Sequence, residues 1–230
     1  MASRYTIQVQ NQSGIDQEYA LFNQPPRVTG RHQDQVWSNV FATGKAPTGS
    51  TTRFEVSKQY YAITGTSMGS PQDGVQVEVS SFRPVTLGSG ESNGASIPGT
   101  TLPLVVQDDM PQFSDSPRPN GAYPNAFEIQ TGNDFTLRDA KSGGFLIGLG
   151  GTQSGNDIDG PLATFLPEPC VEYQIEPSNT YYLTYGRYTK GSMIDVNKVG
   201  RSVTIKFSSL PSNDVVVVHD DYGKLRIQRD

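Results

Sequence analysis

Cysteine is almost missing from this chain: Cys170 is the only one in 230 residues. A single thiol cannot close an intramolecular disulfide, so the fold must be held together without one. Histidine is nearly as scarce, with His32 and His219 the only two. Neither has neighbours at the spacing of a zinc ligand set, and no metal site is expected. The 18 basic residues form no run and are outnumbered by 23 acidic ones, for a net charge of −5. A groove that tracks phosphates needs clustered positive charge, as does an anionic membrane surface, so nucleic acid and membrane are both excluded as partners. Long apolar runs are also lacking. Nothing approaches the roughly 18–20 apolar residues of a membrane span. The opening "MASRYTIQVQ" shows no apolar signal region, so a cytoplasmic, soluble protein is expected.

Helical periodicity is missing too. No window of helical length keeps a 3.6-residue period without a Gly or Pro, so helix should be minor. Alternation with period two is present instead. "YTIQVQ" places Tyr5, Ile7 and Val9 on one face, and "GVQVEVS", "SVTIKF" and "KLRIQ" follow the same pattern. These are expected to be half-buried antiparallel strands. "DVVVV" (Asp214 to Val218) is continuously apolar and reads as a central strand buried on both faces; "HDDYGK" after it reads as a hairpin turn. The 24 Gly and 16 Pro suit many tight turns, and 11 Tyr with 10 Phe can build a core between sheets. The expected fold is an all-β, antiparallel β-sandwich.

Two segments resemble each other: "QYYAITGTSMGS" from Gln59 and "TYYLTYGRYTKGS" from Thr180. Tyr60-Tyr61 and Tyr181-Tyr182 stand 121 residues apart, as do Gly65 and Gly186. "FEV" at Phe54 matches "YQI" at Tyr173, 119 residues on, and "QVQ" at Gln8 matches "EIQ" at Glu128, 120 residues on. An ordered series at nearly one offset reads as an internal duplication: residues 1–106 and 125–230 as two β-repeats forming one compact fold. Residues 107–124, rich in Pro, Asp and Ser, read as a linker or a lid. Adjacent tyrosines on a strand point to opposite faces, so one ring of each pair should enter the core. Gly65 and Gly186 should mark a bulge or bend.

No nucleophile elbow, phosphate loop or dinucleotide fingerprint is present. "GNDIDG" sets Asn156, Asp157 and Asp159 in a Gly-bounded loop, which reads as a calcium site or as an ordinary polar turn. What stands out is aromatic surface near turns. Trp37, Tyr61, Phe145, Tyr182 and Tyr185 are candidates to line an apolar pocket where the halves meet, against the plainer reading that they fill the core. Arg187 replaces the Thr66 of the first repeat, and His219 ends a strand and titrates near neutral pH. Both are candidate catalytic residues.

"YTIQVQNQSG", "YALFNQPP", "YYAITGT", "FEI" at Phe127 and "LATFLPEP" give a chain that resembles small β-sandwich proteins of filamentous fungi. Among these are the cofactor-free hetero-Diels–Alderases of tropolone sesquiterpene pathways. The resemblance implies a pericyclase of secondary metabolism that needs no cofactor and binds a small apolar organic substrate. The alternative is a cytoplasmic carbohydrate-binding lectin with two equivalent sites, using aromatic rings as platforms. Exposed edge strands would permit a homodimer.

Overall fold

The computed structural model describes residues 4–30, 35–90, 96–116, 118–153, 155 and 157–228. Strands dominate, as the alternation predicts. The smallest of three main sheets runs β20 (Leu225–Ile227), β19 (Asp214–His219), β1 (Arg4–Asn11), β5 (Thr51–Ser57). A second runs β11 (Met110–Phe113), β10 (Thr101–Gln107), β12 (Phe127–Thr131), β15 (Glu172–Glu176), β3 (Arg27–Thr29). The central sheet begins β18 (Ser202–Lys206), β16 (Thr180–Tyr185), β2 (Gln17–Asn23), β4 (Trp37–Ala46). It continues β14 (Gly160–Phe165), β13 (Phe145–Gly151), β6 (Tyr60–Ser67), β7 (Val77–Val85), with β17 (Met193–Ile194) on β4. β8 (Ser89–Gly90) and β9 (Ser96–Ile97) form a small ribbon.

Some segments that match in sequence also pair alike, although β5 is an edge strand and β15 is not. β1 pairs with β5 as β12 pairs with β15, and the Tyr-pair strands β6 and β16 each stand second from an edge of the central sheet. One large core fills the space between the sheets, and it takes the first tyrosine of each pair, Tyr60 and Tyr181. Tyr5 stacks on Phe207 at 4.0 Å and meets Tyr181 edge-on at 6.1 Å. The Tyr60 hydroxyl donates to Asn179 Oδ1 at 3.2 Å, which links the entry of β6 to the entry of β16. The second tyrosines face the other way. Tyr61 meets Phe82 edge-on at 5.9 Å, and Tyr182 stacks on Phe22 at 5.4 Å within a small separate cluster.

Several expectations need correction. Two strand pairs are parallel, β1 with β19 and β10 with β12, so these sheets are mixed. β19 lies between β1 and β20, but of its valines only Val215 and Val217 are buried, and Val216 and Val218 are partly exposed. The expected linker contains a strand, β11, joined to β10 by a tight turn with both Asp108 and Asp109 at positive φ (51° and 58°). Pro111 is tolerated there because β11 is an edge strand and needs no second ladder. The one α-helix among the described residues, α1 (Leu137–Gly143), is seven residues long. Thr136 and Asp139 cap its start reciprocally and Gly144, at φ 63°, ends it. None of the described helices is long and apolar enough to cross a membrane.

The glycine of the first Tyr strand does mark a bulge. The β6–β7 register shifts between Thr64 and Gly65, and a Cβ on Gly65 would lie 1.9 Å from the carbonyl oxygen of Glu78. Gly186, at φ 128°, bends the chain just past β16. Replacing Gly65 drives a methyl group into backbone that cannot move without breaking the ladder. Gly65→Ala is expected to lower stability by about 2–3 kcal/mol in urea unfolding, whereas Gly200→Ala, at a site open to solvent, changes it by less than about 0.5 kcal/mol.

Candidate functional site

The parity of β19 puts Val215, Val217 and His219 on its buried face, and His219 is fully enclosed. Its Nδ1 lies 3.0 Å from the Tyr19 hydroxyl on β2. The Tyr185 ring on β16 covers the imidazole at 4.3 Å between centroids. The Tyr185 hydroxyl donates to the Gly223 carbonyl at 3.0 Å and accepts from Arg201 Nη1 at 2.8 Å. Burial pushes the His219 pKa below its ordinary 6.5; nearby Asp220 partly opposes this and Arg201 adds to it. Burial, with Tyr185 adding to it, pushes Tyr19 up to about 12. At neutral pH the pair is therefore a neutral imidazole bonded to a phenol. It fixes β19 against β2 and β16, and it does not present an acid or base to solvent.

Of the seven residues picked out from the sequence, only His219 and Tyr185 are in contact. Arg187 lies beyond β16 in a groove of about 480 Å³ with Asp16, Glu18 and Lys45. There Lys45 Nζ, 2.9 Å from Glu18, holds that carboxylate below its usual pKa through a hydrogen bond and its charge, and Arg187 adds to the effect. Trp37 opens β4 and is half-buried, lining a groove of about 340 Å³ with Pro71, Lys141 and Leu166. Phe145 is buried and meets Phe135 edge-on at 6.1 Å. Tyr61 and Tyr182 pack on Phe82 and Phe22 as described above. The aromatic candidates thus do not converge on one pocket.

Asn156 and His32 lie outside the described residues. Asp159 accepts from the Gln153 backbone at 2.6 Å and from Thr152 Oγ1 at 3.2 Å, which makes it the anchor of a polar turn. Among the described residues no group of three or more His, Cys, Asp or Glu is placed to hold a metal ion.

A groove that sequence reasoning missed lies where β18, the 3-10 turn Phe207–Ser209, β19 and β20 come together. It encloses about 760 Å³, more than the grooves at Arg187 or Trp37. Val203, Leu210, Pro211, Val215 and Ile227 give it apolar walls. Lys206, Thr204 and Ser209 bring polar groups to it. The signal for it was faint: the apolar pair Leu210-Pro211 between the polar pairs of "SSLPSN". Five converging apolar walls with a few polar groups can hold a small apolar molecule in one orientation.

The buried imidazole makes stability depend on pH. His219 has a folded-state pKa below its unfolded value, so the unfolded chain takes up a proton first as pH falls. This contribution to stability is complete above about pH 6.5 and is lost as pH drops toward the lowered folded value. Urea midpoints measured from pH 7 to pH 5 should fall for the wild type. The slope should be flatter for His219→Gln, which keeps a polar partner for Tyr19.

No curated protein and no solved structure matched the chain. The profile of one protein family does match, over residues 2–230, and it accords with the resemblance drawn from the strand segments. On that match across nearly its whole length, the chain belongs to the RhiA family.

Proposed function

We propose that the chain is a cofactor-independent cyclase that performs a hetero-Diels–Alder cycloaddition on apolar polyketide and terpene partners in fungal secondary metabolism. The observation that carries this reading is the groove of about 760 Å³ walled by Val203, Leu210, Pro211, Val215 and Ile227. Its size falls within the roughly 300–1,000 Å³ of small-molecule sites, and its walls suit hydrocarbon. Membership of the RhiA family and the resemblance to the fungal enzymes point the same way.

The chemistry asks little of acids or bases. An oxygen-bearing diene, such as a quinone methide, meets an alkene. One C–C and one C–O bond form while π bonds are consumed and shifted, and no atom leaves or changes owner. Because the step is redox-neutral, orientation is the main demand. Holding two reactants in an attack geometry contributes several kcal/mol. Negative charge develops on the quinone methide oxygen, and Lys206 with the hydroxyls of Thr204 and Ser209 supplies donors at the groove for it. Neither Arg187 nor His219 lines this groove; His219, through Tyr19 and Tyr185, positions the strand that forms its floor.

The reading also takes residues 1–106 and 125–230 as two repeats of one ancestral β-unit. The support is the order of sequence matches, the like pairing of β1 with β5 and of β12 with β15, and the second-from-edge positions of β6 and β16.

The test is to incubate the full chain with a quinone methide precursor and a humulene-type alkene and to resolve the products by chiral chromatography and mass spectrometry. One cycloadduct stereoisomer should form faster than in buffer. Leu210→Glu, which puts a charge in the wall, and Lys206→Met should each slow it roughly tenfold to a hundredfold at an unchanged thermal midpoint. A product mixture and rate equal to those in buffer would overturn the reading.

A further inference from the structure

The outer face of the β11-β10-β12-β15-β3 sheet is polar, and one row of it runs straight across four strands. Thr101 on β10 stands beside Glu128 on β12, Glu128 beside Gln174 on β15, and Gln174 beside Thr29 on β3. Residues 118–126 lie over this row and are tied to it by side chains. Gly121 N–H donates to Thr101 Oγ1 at 2.8 Å, Arg118 Nη1 to Gln130 Oε1 at 3.1 Å and Tyr123 N–H to Gln174 Oε1 at 2.9 Å. Beneath them Glu128 is only 3% exposed, its carboxylate accepting from the amide groups of Gln174, at 2.7 Å, and Gln130.

The result is a rigid mount for one aromatic ring. The backbone of Tyr123 is fixed on Gln174, and the turn after it is closed by Ala126 N–H on the Tyr123 carbonyl at 3.1 Å and Asn125 N–H on Gly88 at 2.7 Å. Tyr123 as a whole is 65% exposed. Beside it is a shallow groove of about 280 Å³ that Arg27, Thr29, Gln174 and Glu176 line. Arg27 and Glu176 approach only to 4.0 Å, so neither is consumed by a close ion pair.

We propose that this groove binds a single pyranose unit of a neutral carbohydrate. The C–H face of the sugar lies on the Tyr123 ring, and its hydroxyls reach Glu176, Arg27 and Thr29. Among the residues that line the groove, one carboxylate and one guanidinium balance each other, which favours neither an anion nor a cation. Together with a hydroxyl they offer donors and acceptors on adjacent strands, about 4.8 Å apart, a spacing that spans one sugar ring. The volume lies below that of sites for drug-sized ligands, and the polar floor disfavours hydrocarbon. The site is independent of the apolar groove and differs from the one that the tyrosine pairs suggested: Tyr60, Tyr61 and Tyr181 are all buried and cannot serve as sugar platforms.

The test is an NMR titration of the full chain with the methyl pyranosides of glucose, mannose, galactose, xylose and N-acetylglucosamine. At least one should give saturable amide shifts centred on Thr29 and Tyr123, with Kd of about 1 mM. Tyr123→Ala should weaken it at least tenfold, Tyr123→Phe should stay within about threefold, and Tyr222→Ala, at another exposed tyrosine, should match the wild type. Three results would each overturn the proposal: no saturable shift with any of the five up to about 100 mM, shifts centred elsewhere, or binding unchanged in Tyr123→Ala.

Discussion

The parallel ladder between β1 and β19 carries the architecture. It aligns Thr6 through Asn11 with Asp214 through His219, so the first strand of the chain completes its hydrogen bonds with one of the last. On the other side β1 takes β5, from its own half. The second half does the converse: β12 takes β15 from its own half and β10 from the first. Both parallel ladders thus join strands that are far apart in the sequence or flank the Pro-rich stretch. Closing so long a loop costs chain entropy that core burial must offset. Each groove of interest leans on one of the two parallel ladders. The apolar groove exists only when β19 is docked beside β18, and the polar sheet exists only when β10 has joined β12.

Much of the strand content was legible because alternation is a direct imprint of a half-buried sheet. Tyr5, Ile7 and Val9 face the core as their spacing says, and Gly65 falls at a bulge because no side chain fits against Glu78. Strand direction was not legible, since period-two alternation is identical in parallel and antiparallel ladders. β11 was hidden by its own proline, which rules out a central strand but not an edge one. The helix was not read from the sequence, because seven residues are too few to show periodicity; its start rests on the caps of Thr136 and Asp139.

The candidate sites were harder to read. The parity of Val215 and Val217 already places His219 on the inner face of its strand, so its burial could have been foreseen. What it would meet could not, because Tyr19 and Tyr185 come from 200 and 34 residues away. The apolar groove is built from half-buried residues such as Val203 and Leu210, which a pattern of inward and outward positions does not distinguish. Tyr123 stands in the Pro-rich stretch, where no periodicity marks which side chains are covered.

The abundance of aromatic residues has a simpler cause than ligand binding. Only 34% of the chain is hydrophobic, so large rings must fill the space between the sheets that aliphatic side chains would otherwise occupy. The tyrosines pay for that with buried hydroxyls. Burial, with Tyr5 beside it, raises Tyr60 to about 12, and burial with Tyr60 and Tyr5 nearby holds Tyr181 well above its ordinary value. These groups stay protonated at any physiological pH and act as packing with a hydrogen bond where one is in reach, as Tyr60 has with Asn179. A count of aromatics therefore says little about function in this fold. Exposure on a mount held by hydrogen bonds says more, because a ring left in water forgoes the burial that Tyr60, Tyr61 and Tyr181 gain. The repeated Tyr-Tyr strands belong to the scaffold, with Tyr60, Tyr61 and Tyr181 all buried.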